Sequence, residues 1–241
     1  MKLDFIPVKM RLPLKFGAET IDSIQICHVE YPAYGAVGRG ETPLSVAWAW
    51  PSTLSFAARE ELMCKFCQVL AAAYPEPKQH PMTEGYIFLT EKLDSLLEKF
   101  NADNQTEMPH LAALICASAF DIAMHDAYGL AKGLPTYKTY NKDFMEHDLA
   151  WFYNDEAFAG LYPEDFFVEN VPTELPVWHL VGGKDLLFES ERTGNEPEDG
   201  YPVSLEKWIE RDGLKCLKIK LTGSDPEWDY NRVVAIGKLA L

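Results

Sequence analysis

Long apolar runs are missing from this chain of 241 residues. The longest, about Leu111 to Phe120, falls short of the ~20 residues that a membrane-crossing helix needs. The N-terminus carries Lys2, Asp4, Lys9, Arg11 and Lys15 and no apolar segment of signal-peptide length, so a cytoplasmic protein is expected. Positive charge is scarce as well. There are 22 Lys and Arg against 37 Asp and Glu, a formal net charge of −15. That balance argues against nucleic acid and against anionic membranes as partners. It leaves room for an anionic substrate, because a bound metal inverts local charge. Cysteine is sparse: Cys27, Cys64, Cys67, Cys116 and Cys216 form an odd, scattered set suited to a reducing compartment. Cys64 and Cys67 have redox or zinc spacing, but they fall within a predicted helix and no second pair completes a zinc site. Gly35, Gly38 and Gly40 lack the spacing and the βα setting of a dinucleotide loop. They read as a glycine-rich hairpin, with Glu41 structural. There is no internal repeat and no low-complexity tract.

What is present can build a sizeable core. The chain is 47% hydrophobic, enough for one large domain or two modest ones. Leu3 to Leu14 reads as a strand with Pro7 near a bend. Ile21 to Tyr31 alternates through Ile24, Ile26 and His28, and the glycine segment supplies the next arm of an antiparallel meander. The period then changes from two to 3.6. Thr53 to Tyr74 carries a stripe of Phe56, Leu62, Met63, Phe66, Val69 and Leu70. Thr90 is placed to cap a short helix with Leu93, Leu96, Leu97 and Phe100 inward. Pro109 opens a long helix that Gly133 and Pro135 stop. Strands followed by helices predict an α+β domain over 1–135. Residues 136–175 carry no clear pattern and are expected to be a long connector or insertion.

The most informative segment lies further on. Gly213-Leu-Lys-Cys-Leu-Lys-Ile-Lys-Leu-Thr-Gly223 alternates: Leu217, Ile219 and Leu221 on one face, Cys216, Lys218 and Lys220 on the other. Val203 to Arg211 before it reads as a helix. Asp225-Pro226 after it is a helix start, with Asp225, Glu227 and Asp229 explained by capping and the helix dipole rather than by metal binding. Helix, strand, helix is a unit of a parallel α/β fold, whose strands are normally apolar on both faces. Two lysines at i and i+2 break that rule. Each ammonium disfavours ionisation of the other, which is how a lysine becomes a base near neutral pH. The alternative is an edge strand whose lysines stand in solvent and block edge pairing.

The flanks add weight to the first reading. The segment resembles the second barrel strand of the enolase superfamily, in its mandelate racemase and muconate lactonizing branch, where a Lys-x-Lys pair ends that strand. Three further stretches agree in order. Tyr34-Gly-Ala-Val-Gly-Arg-Gly-Glu-Thr-Pro43 resembles the family's glycine-rich hairpin, Ala117 to Pro135 is similar to the helix closing its N-terminal domain, and Leu175 to Val181 resembles the first barrel strand. The resemblance implies an α+β capping domain over 1–135, then the first two βα units of a (β/α)₈ TIM-type barrel over 176–241, incomplete in this chain. It implies removal of the proton α to a carboxylate, assisted by Mg²⁺, as in racemases, epimerases and cycloisomerases. Lys220 would exchange the proton; Lys218 would keep the Lys220 pKa low and contact the substrate carboxylate. By position, Lys15 to Glu19 and Ser45 to Trp50 match the two mobile loops that cover the substrate. This makes Phe16, Trp48 and Trp50 candidate substrate-binding residues. The family's three acidic metal ligands and its second acid/base would fall after residue 241, so no metal ligand is assigned here and the chain alone is expected to be inactive. A small carboxylate substrate and a homo-oligomer are expected. A truncated, non-catalytic product or interaction protein is the rival expectation. An unrelated α/β enzyme using the two lysines as an anion site is a third. His125 and Asp126 are helix neighbours that point about 100° apart and cannot form a dyad. His179 is left open between facing the lysines and facing away.

Overall fold

A computed structural model describes residues 1–16 and 19–240, without the side chain of Phe16. The chain divides into two units: Met1–Val8 with Ile24–Glu169, and Lys9–Ser23 with Asn170–Leu241.

The first unit is built on a three-stranded sheet in the order β1 (Lys2–Phe16), β2 (Glu19–Ala33), β3 (Ala36–Pro43). β2 and β3 are antiparallel, paired from Ile26↔Pro43 to Ala33↔Ala36. A two-residue turn joins them: Tyr34 and Gly35 both have positive φ, 54° and 80°, as the twist of a tight hairpin requires. Cys27, Val29, Tyr31 and Ala33 are the inward set of β2. Ile26 and His28, expected to carry the alternation, alternate on the other face, where His28 Nδ1 meets Glu41 Oε1 at 2.9 Å. Both faces of this strand hold apolar residues, so the pattern alone did not settle which one is buried.

The helices pack on this sheet: α1 (Val46–Ala49), α2 (Phe56–Ala73), α3 (Pro81–Glu91), α4 (Leu93–Asn104) and α5 (His110–Lys132). Ser55 caps α2 by accepting the Ala58 N–H. Pro109 is the N-cap of α5, and Gly133, at φ 66°, ends it in the left-handed conformation. At 23 residues α5 is long and apolar enough to cross a membrane, longer than the apolar stretch singled out in the sequence. It is instead the central core helix, with Ala112, Cys116, Ala119, Phe120, Ala123 and Ala127 buried. Its alanines leave room for β3 to lie directly on it. A Cβ added to Gly38 would sit 2.0 Å from the Ala123 carbonyl oxygen, and one on Gly40 2.0 Å from that of Ala119. These glycines serve helix–strand contact, which explains the hairpin composition without a ligand. Tyr74 stacks between Phe88 and Phe120, with ring centroids 3.9 and 5.0 Å away.

Two expectations change here. Thr90 does not cap a helix. It lies within α3 and its hydroxyl donates back to the Tyr86 carbonyl; the sequence reading missed α3, which starts at Pro81 with His80 as its cap. Residues 136–169, expected to be part of a connector, belong to the first unit. They form α6 (Leu149–Tyr153) and three short 3₁₀ turns. Glu146 ties them to the start of α3 by accepting the His80 N–H at 3.0 Å on each oxygen and the Thr83 hydroxyl at 3.2 Å. A carboxylate there also meets the positive end of the helix dipole. Tertiary polar links replace the periodicity that this segment lacks.

The second unit holds two parallel strands, β4 (His179–Val181) and β5 (Leu217–Ile219), with α7 (Leu205–Asp212) between them in sequence and α8 (Pro226–Ala240) after them. Val181, Leu187, Leu205 and Ile236 are its buried core, with Leu217 and Ile219 packed against them. The ends of β1 and β2 from Lys9 to Ser23 belong to this unit. Arg11 fixes them: its guanidinium donates to both Asp199 oxygens at 2.7 and 2.8 Å and to the Tyr201 and Pro202 carbonyls.

Candidate active site

The register of the parallel pair decides where the lysines stand. His179, Leu180 and Val181 pair with Leu217, Lys218 and Ile219. The ladder extends one residue each way: His179 N–H donates to the Cys216 carbonyl at 3.0 Å, and Lys220 N–H to that of Val181 at 2.9 Å. Leu217 and Ile219 turn towards the core formed with α7 and α8. Strand alternation therefore sends Lys218 and Lys220 to the opposite face, at the C-terminal end of β5. Lys218 is exposed and Lys220 half-buried. The C-terminal ends of parallel strands are where α/β folds carry their chemistry.

The loops that follow both strands are pinned by α8 or by the residues that start it. Asp225 accepts the Trp228 N–H, the expected cap. Asp229 accepts the N–H groups of Thr222 and Gly223 and the Thr222 hydroxyl, at 2.7 to 3.0 Å. These bonds stabilise the Asp229 carboxylate and hold its proton affinity below the usual range. After β4, Arg232 Nη2 donates to the carbonyls of Gly182 and Asp185, both at 2.7 Å. Burial lowers the Arg232 pKa from its ordinary value. Asp225 is thus the expected cap, whereas Asp229 ties down the loop before α8. Arg232 was missed, since a lone arginine on a helix carries no signal for a loop 47 residues away.

His179 does not join the lysines. Its ring lies 5.6 Å from that of Trp208 on α7, on the helix-facing side. A cavity of about 200 Å³ adjoins it, lined in part by Arg11, Leu12, Asp185, Leu205 and Trp208. Trp50, expected to cover substrate, is a core residue of the first unit, 2% exposed, with its carbonyl accepting from Arg59 Nη1 at 2.6 Å. An apolar ring in the first turn after a strand fits core and lid equally well by sequence. Of these two tryptophans Trp48 is the exposed one, at 48% on α1. The side chain of Phe16 lies outside the described residues.

His125 and Asp126 diverge as helix geometry demands. Asp126 accepts the Arg39 N–H of β3 at 2.8 Å, whereas His125 Nδ1 meets the Tyr140 hydroxyl at 2.9 Å. Cys27, Cys67 and Cys116 form a buried thiol group, with all five cysteines free. A hydrogen bond with Cys67 and burial push the Cys27 thiol far up, and burial raises Cys64 to about 12. These thiols are packing groups, not nucleophiles. Among the described residues no group of three or more His, Cys, Asp or Glu is arranged to hold a metal ion, so the side chains here do not fit the Mg²⁺ that the resemblance implies.

No family model matches the chain, and no curated protein matches it. Solved structures do. The L-Ala-D/L-Glu epimerase of Bacillus subtilis, solved as a substrate-liganded complex, superposes on 100% of this chain with a TM-score of 0.51 at 16% identity. A dipeptide epimerase of Enterococcus faecalis, complexed with Mg and the dipeptide L-Leu-L-Tyr, does so with a TM-score of 0.50 at 18% identity. A mandelate racemase/muconate lactonizing enzyme-like protein of Rubrobacter xylanophilus gives 0.50 at 18%. The fold is that of the mandelate racemase/muconate lactonizing proteins. The chain spans 49% of each of these three. In the terms of that fold, the first unit is the α+β capping domain, and β4-α7-β5-α8 are the first βα units of the barrel, which is incomplete here.

Proposed function

We propose that this chain carries the lysine strand of an enzyme that removes and returns the proton α to a carboxylate, as a racemase, epimerase or cycloisomerase does. The observation that supports it is the Lys218-x-Lys220 pair at the C-terminal end of a strand paired in parallel with β4, in a fold shared with two epimerases. In this reading Lys220 Nζ takes the α-proton and gives it back. Lys218 binds the substrate carboxylate. Mg²⁺ is the cofactor this reading implies; no donor set for it is present among the described residues, and the 241 residues alone are expected to be inactive. The substrate is a small carboxylate; a dipeptide is one form that the neighbours' ligands suggest. The protein is cytoplasmic and works as a homo-oligomer.

The rival reading is a non-catalytic fragment or interaction protein, favoured by the lack of a metal donor set among the described residues. Solvent deuterium exchange at the substrate α-carbon, followed by NMR over a panel of dipeptides, N-acyl amino acids and α-hydroxy acids, separates the two. If a longer form exists, it should exchange, and in it Lys220→Ala should lower kcat by about a thousandfold or more with a small change in binding, because a proton-transfer base acts in the transition state. Normal exchange by the alanine variant removes Lys220 from the reaction. Metal-dependent exchange by the 241 residues alone overturns the assignment of the missing ligands.

A further inference from the structure

A second cleft lies wholly within the first unit, between α3, α5 and α6. Its volume is about 280 Å³, and its lining includes Gly85, Tyr86, Asp121, His125, Phe152 and Tyr153. The rings come from separate elements that meet: Tyr86 on α3 is 5.4 Å from Phe152 on α6, edge to face, and 5.1 Å from Trp151. The only carboxylate in that lining is Asp121. Gly85 makes room for it, since a Cβ there would lie 2.5 Å from Asp121 Oδ1.

Asp121 is poorly compensated. Its one ionic neighbour among the described residues is His125 Nε2, 3.8 Å away and one helical turn on. That imidazole is of little help, because burial lowers His125 to about 4 and leaves it neutral at pH 7. Burial also raises Asp121, to about 6, so at neutral pH the cleft holds a partly desolvated negative charge without a cation. Aromatic faces attract cations through their quadrupoles, and a carboxylate beside them supplies the opposite charge. Three aromatic rings around one acid, in a space near the lower size limit of ligand pockets, select a compact cation and reject an anion of the same shape.

We infer that this cleft binds a small organic ammonium ion, with the ammonium on Asp121 and the apolar body against Tyr86, Phe152 and Tyr153. The inference is independent of the chemistry proposed for Lys218 and Lys220.

The test is an NMR titration of the full 241-residue protein with phenethylammonium, against phenylacetate and 2-phenylethanol as isosteric anion and neutral controls. Saturable shifts of the Gly85 amide and the His125 ring are expected with phenethylammonium, and at least roughly tenfold weaker binding for the two controls. Asp121→Asn should bring the amine down to the level of the alcohol. Phe152→Leu, which keeps an apolar side chain but loses the ring, should weaken the amine about threefold or more and leave the alcohol unchanged. Equal binding of all three probes, unchanged amine binding by the folded Asp121→Asn protein, or no saturable shift at these positions would overturn the proposal.

Discussion

Single residues in this chain differ sharply in what they tolerate, for reasons visible around each one. Gly35 needs its positive φ but has open space where a Cβ would go. Gly38 has the opposite problem, a helix backbone 2.0 Å from that point. Gly35→Ala should therefore cost about 1 kcal/mol of backbone strain, whereas Gly38→Ala should cost about 3 kcal/mol or more by pushing β3 off α5; urea melts of the two variants give the comparison. His80 and His125 set a pH dependence. His80 is fully buried, accepts the Met82 N–H on Nδ1 at 3.2 Å and sits 3.2 Å from the Thr139 hydroxyl through Nε2. Desolvation lowers both histidines to about 4 from 6.5. The unfolded chain then binds more protons than the folded one between those values, so stability rises with pH across that window and is lost as pH falls from 6.5 towards 4. The upper limit is about 3 kcal/mol per histidine. Asp121, raised to about 6, acts in the opposite sense from its unfolded value of 3.8 upwards, but its side chain is over a third exposed and solvent screening weakens its share. Thermal melts from pH 4 to 7 should show the net rise. His80→Gln should flatten it.

At the scale of elements, loops and helix starts are held by long-range polar links that have no local signature. Arg11 and Asp199 are 188 residues apart in sequence, yet the pair anchors the ends of β1 and β2. Arg11→Ala should free the segment around Lys9–Ser23, seen as faster proteolytic cleavage there with the first unit's far-UV signal unchanged. Slow cleavage equal to that of the parent would show that other contacts hold the segment. Arg59 is the buried counterpart, 1% exposed, its guanidinium spanning the carbonyls of Val46, Ser55 and Trp50. Arg59→Met keeps the volume but takes the 2.6 Å donor from the Trp50 carbonyl, while the Val46 and Ser55 carbonyls keep backbone donors. It should cost about 2–4 kcal/mol in denaturant melts. Two helix boundaries, by contrast, were legible: Asp225-Pro226 before α8 and Gly133 after α5 are local devices that act through the residues' own backbone neighbours.

For the whole molecule, the two units differ in how much they bury. The first has a continuous core running from Cys27 through Met63 and Phe66 to Ala127, and the second has, among the described residues, a cluster of four buried apolar side chains and two strands of three residues each. Local opening should follow that difference. In hydrogen exchange, the amides of Leu217 to Lys220 should lose protection well before those of Ala119 to Ala127. Equal protection throughout would show one cooperative unit. This matters for the proposed chemistry, because a base must be held within a few tenths of an ångström of its target. Two short strands are a weak mount for Lys220 until further strands pair with them.

Apart from α1, α3 and α6, the order of the main elements was legible in the sequence: a strand period of two, then helical stripes, then the alternating lysine strand between two helices. These are signals carried by neighbouring residues, and hydrophobic periodicity and backbone capping suffice to express them. Which face of β2 is buried, that residues 136–169 join the first unit, and that Trp50 belongs to a core were decided only by tertiary packing. There, the neighbours that exclude water come from distant parts of the chain. The same holds for His179, whose partner Trp208 lies on the next helix, and for the cleft of Asp121, whose rings arrive from α3 and α6. Lys218 and Lys220 could be placed on one face by spacing alone, because strand alternation is a property of the backbone. That they stand at the C-terminal end of a parallel pair required the register with β4, a contact between residues some forty positions apart.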